Sequence, residues 1–182
     1  MKTKNSKAFT LIELLVVITI ITILATISIP QFSKYRIRAF NVAALSDLRN
    51  LSTELEAYYV DDFKYPVNLY GSNANWVTSD QITTFMDTNT GDFTFYPTKG
   101  VSVRYVAGAN QQVYILSTKH ASGDAFYVRS SFSSRIYQDR DDTYKGVSNA
   151  DPSAGATFPT LDETNSTTYK DSAFTGAGWE AV

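Results

Sequence analysis

The 182-residue sequence predicts an α+β fold: a long, kinked N-terminal helix packed on a small antiparallel β-sheet. Three observations predict it. Phe9 to Ile29 is a run of 21 residues whose single ionisable side chain is Glu13. Between Gln31 and Asp61 apolar residues recur at helical spacing. Beyond residue 91, short β-branched and aromatic runs alternate with turn signals. The chain then divides into a basic leader (1–8), an apolar helix (9–30), an amphipathic helix (31–62), a connecting loop (63–91), the sheet (92–142) and an irregular surface tail (143–182).

The apolar run comes first. At ~1.5 Å per residue it spans roughly 30 Å, the thickness of a hydrocarbon core. Lys2, Lys4 and Lys7 precede it and hold the N-terminus in the cytoplasm, so the body is exported. The run is too long for a secretory signal, and ISIPQFS offers no small-residue cleavage site. A carboxylate at the centre of a span costs about 2.5–3.5 kcal/mol, and less near the edge, where Glu13 lies. Pro30 removes the hydrogen bond to the Thr26 carbonyl and predicts a kink.

The second half of the helix is amphipathic. Ala44, Leu48, Leu51, Leu55 and Tyr58 fall on one stripe. Asp47, Arg49, Glu54 and Glu56 lie off it and are expected to face water or neighbouring copies. Lys34, Arg36 and Arg38 form a basic cluster that fits either acidic groups on adjacent copies or a solvated face. A helix from Phe9 to Asp61 would be roughly 80 Å long if unbroken. It could bury its first half among copies of itself and cover a sheet with its second, as a filament subunit would.

Asp61-Asp62-Phe63-Lys64-Tyr65-Pro66 ends the helix, because a residue before proline disfavours helical geometry. In the connecting loop, Thr78 with Gln81 predicts a capping box opening a short helix near 79–86. Strands are expected at 92–96, 101–106, 112–118, 125–130 and 134–138, paired antiparallel across short turns. Val101, Val103 and Tyr105 should be buried, while Ser102 and Arg104 should face water. The tail is rich in Ser, Thr, Asp, Gly and Ala, with Phe158, Phe174 and Trp179 as the residues able to pin it to the sheet.

Little in the sequence points to catalysis. There is one histidine, His120, expected in an exposed loop, and no cysteine. Phosphate loops, nucleophile elbows and zinc spacings are absent, so the chain is not expected to be an enzyme or to need a cofactor. Asp139, Asp141 and Asp142 are calcium candidates of a weak kind, since Arg140 sits among them. Asn165-Ser166-Thr167 has the form of a glycosylation site. Three of the 16 basic residues lie in the leader, so 13 remain against 18 acidic ones. That balance argues against nucleic acid as the primary partner.

The stretch KAFTLIELLVV, followed by Pro30 and continuing through IPQFSKYRIRAFNVAALSDLRNLSTELEAYYVDDFKYP, resembles the N-terminus of type IV prepilins. It is most similar to the short-helix pilins of Geobacter-type bacteria, over about residues 1–66. The resemblance implies cleavage between Ala8 and Phe9 by a prepilin peptidase and N-methylation of Phe9. Alanine stands at position 8, where the family usually has glycine. The resemblance also implies that Glu13 meets the amine of Phe9 in a neighbouring subunit. Pro30 and the aromatics Phe32, Tyr35, Phe40, Tyr58 and Tyr59 are then the expected helix-packing residues. Implied partners are further copies in a helical filament, the inner membrane before assembly, the assembly platform and its ATPase. A type II secretion pseudopilin shares this N-terminus and is the first alternative. A monomeric membrane-anchored binding domain is the second.

Overall fold

The computed structural model describes residues 9–68, 77–78, 83–87, 91–108, 110–141, 144–145 and 179–182, in two compact units that divide between Arg36 and Ile37. One helix, α1 (Leu11–Asp62), contributes to both and continues through Pro30 rather than ending there.

In the first unit α1 stands alone. Thr10 caps it, and the apolar side chains from Leu11 to Ile29 are exposed. The hydroxyls of Thr19, Thr22 and Thr26 donate back to the carbonyls of Leu15 (2.8 Å), Ile18 (2.7 Å) and Thr22 (2.8 Å). These three hydroxyls within the apolar run thereby find partners on their own helix, which suits a segment without water.

In the second unit α1 lies on a sheet. The described strands are β1 (Val67–Asn68), β2 (Val77–Thr78), β3 (Thr83–Asp87), β4 (Gly91–Phe95), β5 (Val101–Ala107), β6 (Tyr114–His120), β7 (Ala125–Ser130), β8 (Tyr137–Arg140) and β9 (Glu180–Ala181). Six of them form one antiparallel sheet in the order β2-β5-β6-β7-β8-β9, and β1-β3-β4 form a second. Ala44, Leu48, Leu51 and Leu55 are fully buried against Val101, Val103, Tyr105, Tyr114, Leu116 and Tyr127. Thr118 on β6 donates to the Ala44 carbonyl at 2.8 Å, which fixes the helix on the central strand. Each leucine of the stripe contributes about 1.5–3 kcal/mol by burial.

Several expectations are corrected. Strands β1, β2 and β3 occupy stretches of the expected connecting loop, and β3 replaces the short helix expected near 79–86. Pairing with β1 and β4 decides that segment, overriding a local capping signal. Ser102 is buried rather than wet, because β6 is buried along both faces. Its cross-strand neighbours on that far face are Lys119 and, one strand further, Phe126. Tyr144 packs edge-on against Phe126 at 4.7 Å. Trp179, expected to pin the tail, is buried just before β9 pairs with β8. Phe158 and Phe174 lie outside the described residues.

Candidate functional site

The N-terminus of α1 carries the first cluster. Glu13 Oε2 accepts hydrogen bonds from the Thr10 backbone N–H (2.9 Å) and hydroxyl (2.7 Å). The Glu13 N–H in turn donates to Thr10 Oγ1 at 3.3 Å. This reciprocal capping box was legible as Thr-x-x-Glu but absent from the expectations above. It gives the carboxylate a partner within its own chain, three residues away, in an otherwise apolar run. Phe9 beside it is 84% exposed. A surface this apolar, bearing one acid, can enter lipid or pack against copies of itself.

Just beyond the span, Phe32, Lys34, Tyr35 and Arg36 are all exposed. The other expected helix-packing aromatics are engaged inside the second unit. Phe40 stacks on His120 at 4.3 Å, Tyr58 meets Phe93 edge-on at 5.9 Å, and Tyr59 stacks on Tyr65 at 4.6 Å.

A polar cluster joins α1 to the sheet. Asn41 and Asp124 bond reciprocally: Asn41 Nδ2 donates to Asp124 Oδ1 at 2.6 Å, and the Asp124 N–H donates to Asn41 Oδ1 at 3.1 Å. Asp47, expected to face water, is buried instead. Its carboxylate accepts from the Thr98 N–H (2.7 Å) and hydroxyl (2.9 Å), so it pins the turn before β5. Glu56 is half-buried and accepts the hydroxyls of Tyr65 and Tyr114, each at 3.0 Å. An acid off an apolar stripe can thus be drawn inward by donors distant in sequence.

His120 is also buried rather than exposed in a loop. Its ring lies under Gly100, whose φ of 85° and lack of a Cβ let the imidazole approach, and its Nδ1 accepts the Ser122 N–H at 3.0 Å. Burial, aided by the neighbouring Lys119 charge, holds the imidazole below its ordinary pKa. Lys119 Nζ donates to the His120 carbonyl at 3.0 Å, and burial lowers the ammonium to about 8 against the pull of Asp124. Both groups resist protonation in the folded state, so the unfolded chain binds more protons and stability rises with pH. Through His120, stability should fall as pH drops below about 6.5. Through Lys119 it should rise as pH climbs from about 8 towards 10.5. Urea midpoints of the full chain in detergent at pH 5.5, 7.5 and 9.5 should increase in that order, and Lys119→Met should flatten the upper rise.

The remaining candidates are dispersed. Asp139 accepts the Tyr144 hydroxyl at 2.8 Å, Asp141 is exposed, and Asp142 lies outside the described residues, as do Ala8 and Asn165. Among the described residues no group of three metal-ligating side chains converges. Sequence reading missed Thr10, Asn41 and Lys119; only Thr10 carried a local signal.

Comparison with known proteins places the N-terminus. The profile of the prokaryotic N-terminal methylation motif matches residues 3–29. The type II secretion system core protein G of Pseudomonas aeruginosa is 34% identical over 74 residues, covering 41% of this chain and 52% of its own. A fimbrial protein of Pseudomonas aeruginosa is 46% identical over 54 residues, 30% of this chain and 35% of that one. The type IV wide pilus major component PilA4 of Thermus thermophilus is 42% identical over 65 residues, 36% of this chain and 50% of its own. The chain spans about half the length, or less, of these relatives. Over its N-terminal third, with the methylation motif and the apolar capped helix, the chain is similar both to type IV pilins and to the secretion core protein.

Proposed function

We propose that the chain is a major structural subunit of a type IV pilus, held together by its N-terminal apolar helix. The observation that carries this is the exposed half of α1, whose large apolar side chains surround a single acid held in the Thr10–Glu13 box, attached to a folded head. In water such a surface has to be covered, and identical helices side by side cover it. A prepilin peptidase cuts between Ala8 and Phe9, and Phe9 is N-methylated. The precursor waits in the inner membrane, from which a platform protein and an ATPase assemble it into an extracellular filament. In that filament Glu13 exchanges its Thr10 bonds for the amine of Phe9 on a neighbour, which rewards correct axial register. The role is structural, not enzymatic.

Intact-mass and N-terminal analysis of protein sheared from cells tests the reading. The expected species begins at methylated Phe9 and is found in long filaments. A chain still beginning at Met1 and confined to membranes would sink it. The 74-residue alignment with secretion core protein G favours one second reading, a pseudopilin that forms only a short periplasmic fibre. Long surface filaments exclude that reading.

A further inference from the structure

We propose that the helix segment Phe32–Arg36 is a binding belt for anionic phospholipid headgroups, holding the unassembled chain in the outer leaflet of its membrane. The inference rests on the membrane-spanning part of the function above and adds a ligand to it.

The basic residues here oppose the orientation set by the leader lysines, since they lie on the exported side of the span. Their placement explains why they are tolerated. The 20 residues from Leu11 to Pro30 fill a hydrocarbon core of about 30 Å. A headgroup layer adds roughly 5–7 Å on each side, which brings residues 31–35 within it. Side chains on a helix lean towards its N-terminus, here back towards the membrane, so Lys34 and Arg36 both reach headgroup phosphates. Phe32 and Tyr35, 69% and 62% exposed, occupy the depth at which aromatic rings prefer to sit.

The arrangement around the helix distinguishes lipid from a protein partner. Lys34 and Arg36 are two residues apart, about 160° around the axis, and so point to opposite sides. Ser28, Ile29, Phe32 and Ser33 line a shallow apolar concavity that Arg36 closes, as an acyl chain ending in a charged headgroup would require. A single docked partner covers one side of a helix; in the unassembled chain a leaflet surrounds it.

The test uses the full chain reconstituted in nanodiscs of phosphatidylcholine with 20% phosphatidylglycerol, with retained lipids counted by native mass spectrometry. Each basic residue near such headgroups is worth about five-fold in local enrichment. Wild type should therefore retain phosphatidylglycerol several-fold above its bulk fraction. Lys34→Gln with Arg36→Gln should lose most of that excess, while Lys34→Arg with Arg36→Lys should keep it. The leader is identical in all three, so its lysines cancel. An equal excess in the glutamine variant overturns the proposal. So does the absence of any excess, even if the glutamine variant then loses filaments, a result that would assign the cations to acidic residues of a second copy. Failure of the filament reading is seen separately, as unassembled chain in cells.

Discussion

Glu13→Ala should leave the chain inserted in the membrane with a folded head, and should abolish filaments. Among the described residues the hydrogen bonds of the carboxylate are all to Thr10, so its loss disturbs nothing in the second unit. Membrane insertion becomes easier, because a costly acid leaves the span. In the filament proposed above, assembly would lose the partner for an incoming amine in a low-dielectric core. Stranding such a charge costs on the order of 3 kcal/mol, over a hundred-fold in subunit affinity. Sheared filament should fall below about a tenth of wild type, with precursor accumulating in membranes. Undiminished filaments would remove the acid from the assembly mechanism, and an active, correctly localised monomer would point to an anchored binding domain.

Leu51→Ala should strongly destabilise the head. Leu51 is fully buried at the middle of the stripe, between Leu48 and Leu55 and facing the sheet. Truncation removes about three carbons and leaves a cavity, at a cost of about 2–5 kcal/mol. Urea unfolding of the full chain in detergent measures the loss. Val42→Ala, at a position 62% exposed on the same helix, should stay within about 0.5 kcal/mol and serves as the control. A loss below about 1 kcal/mol for Leu51→Ala would mean that the helix is not locked on the sheet.

The helix and the central strands were legible because their signals are periodic. Four residues of the expected stripe are the helix side of the core, and β4 to β7 fall within one or two residues of the expected strands. What could not be read depends on partners remote in sequence. Asp47 is buried because Thr98, 51 residues later, supplies two donors. Ser102 and Lys119 look like the solvated positions of a one-sided sheet until its far face is seen to be covered. The strand β3 contains Thr83, Thr84 and Phe85, all compatible with a sheet, but the preceding Thr-x-x-Gln pattern favours a helix when pairing is ignored. The Thr10–Glu13 box shows the opposite case. Its signal is entirely local: a threonine three residues before the acid suffices for the bond within the chain.

The tie between Asn41 and Asp124 has a consequence for the order of events during synthesis. The two residues are 83 positions apart, and Thr118 reaches Ala44 across 74. At a synthesis rate of ~5–20 residues per second, roughly 4–17 s separate the emergence of Asn41 from that of Asp124. Until β5 and β6 emerge, Leu48, Leu51 and Leu55 lack the strands they pack on. The head therefore completes its core only after the sheet has been made.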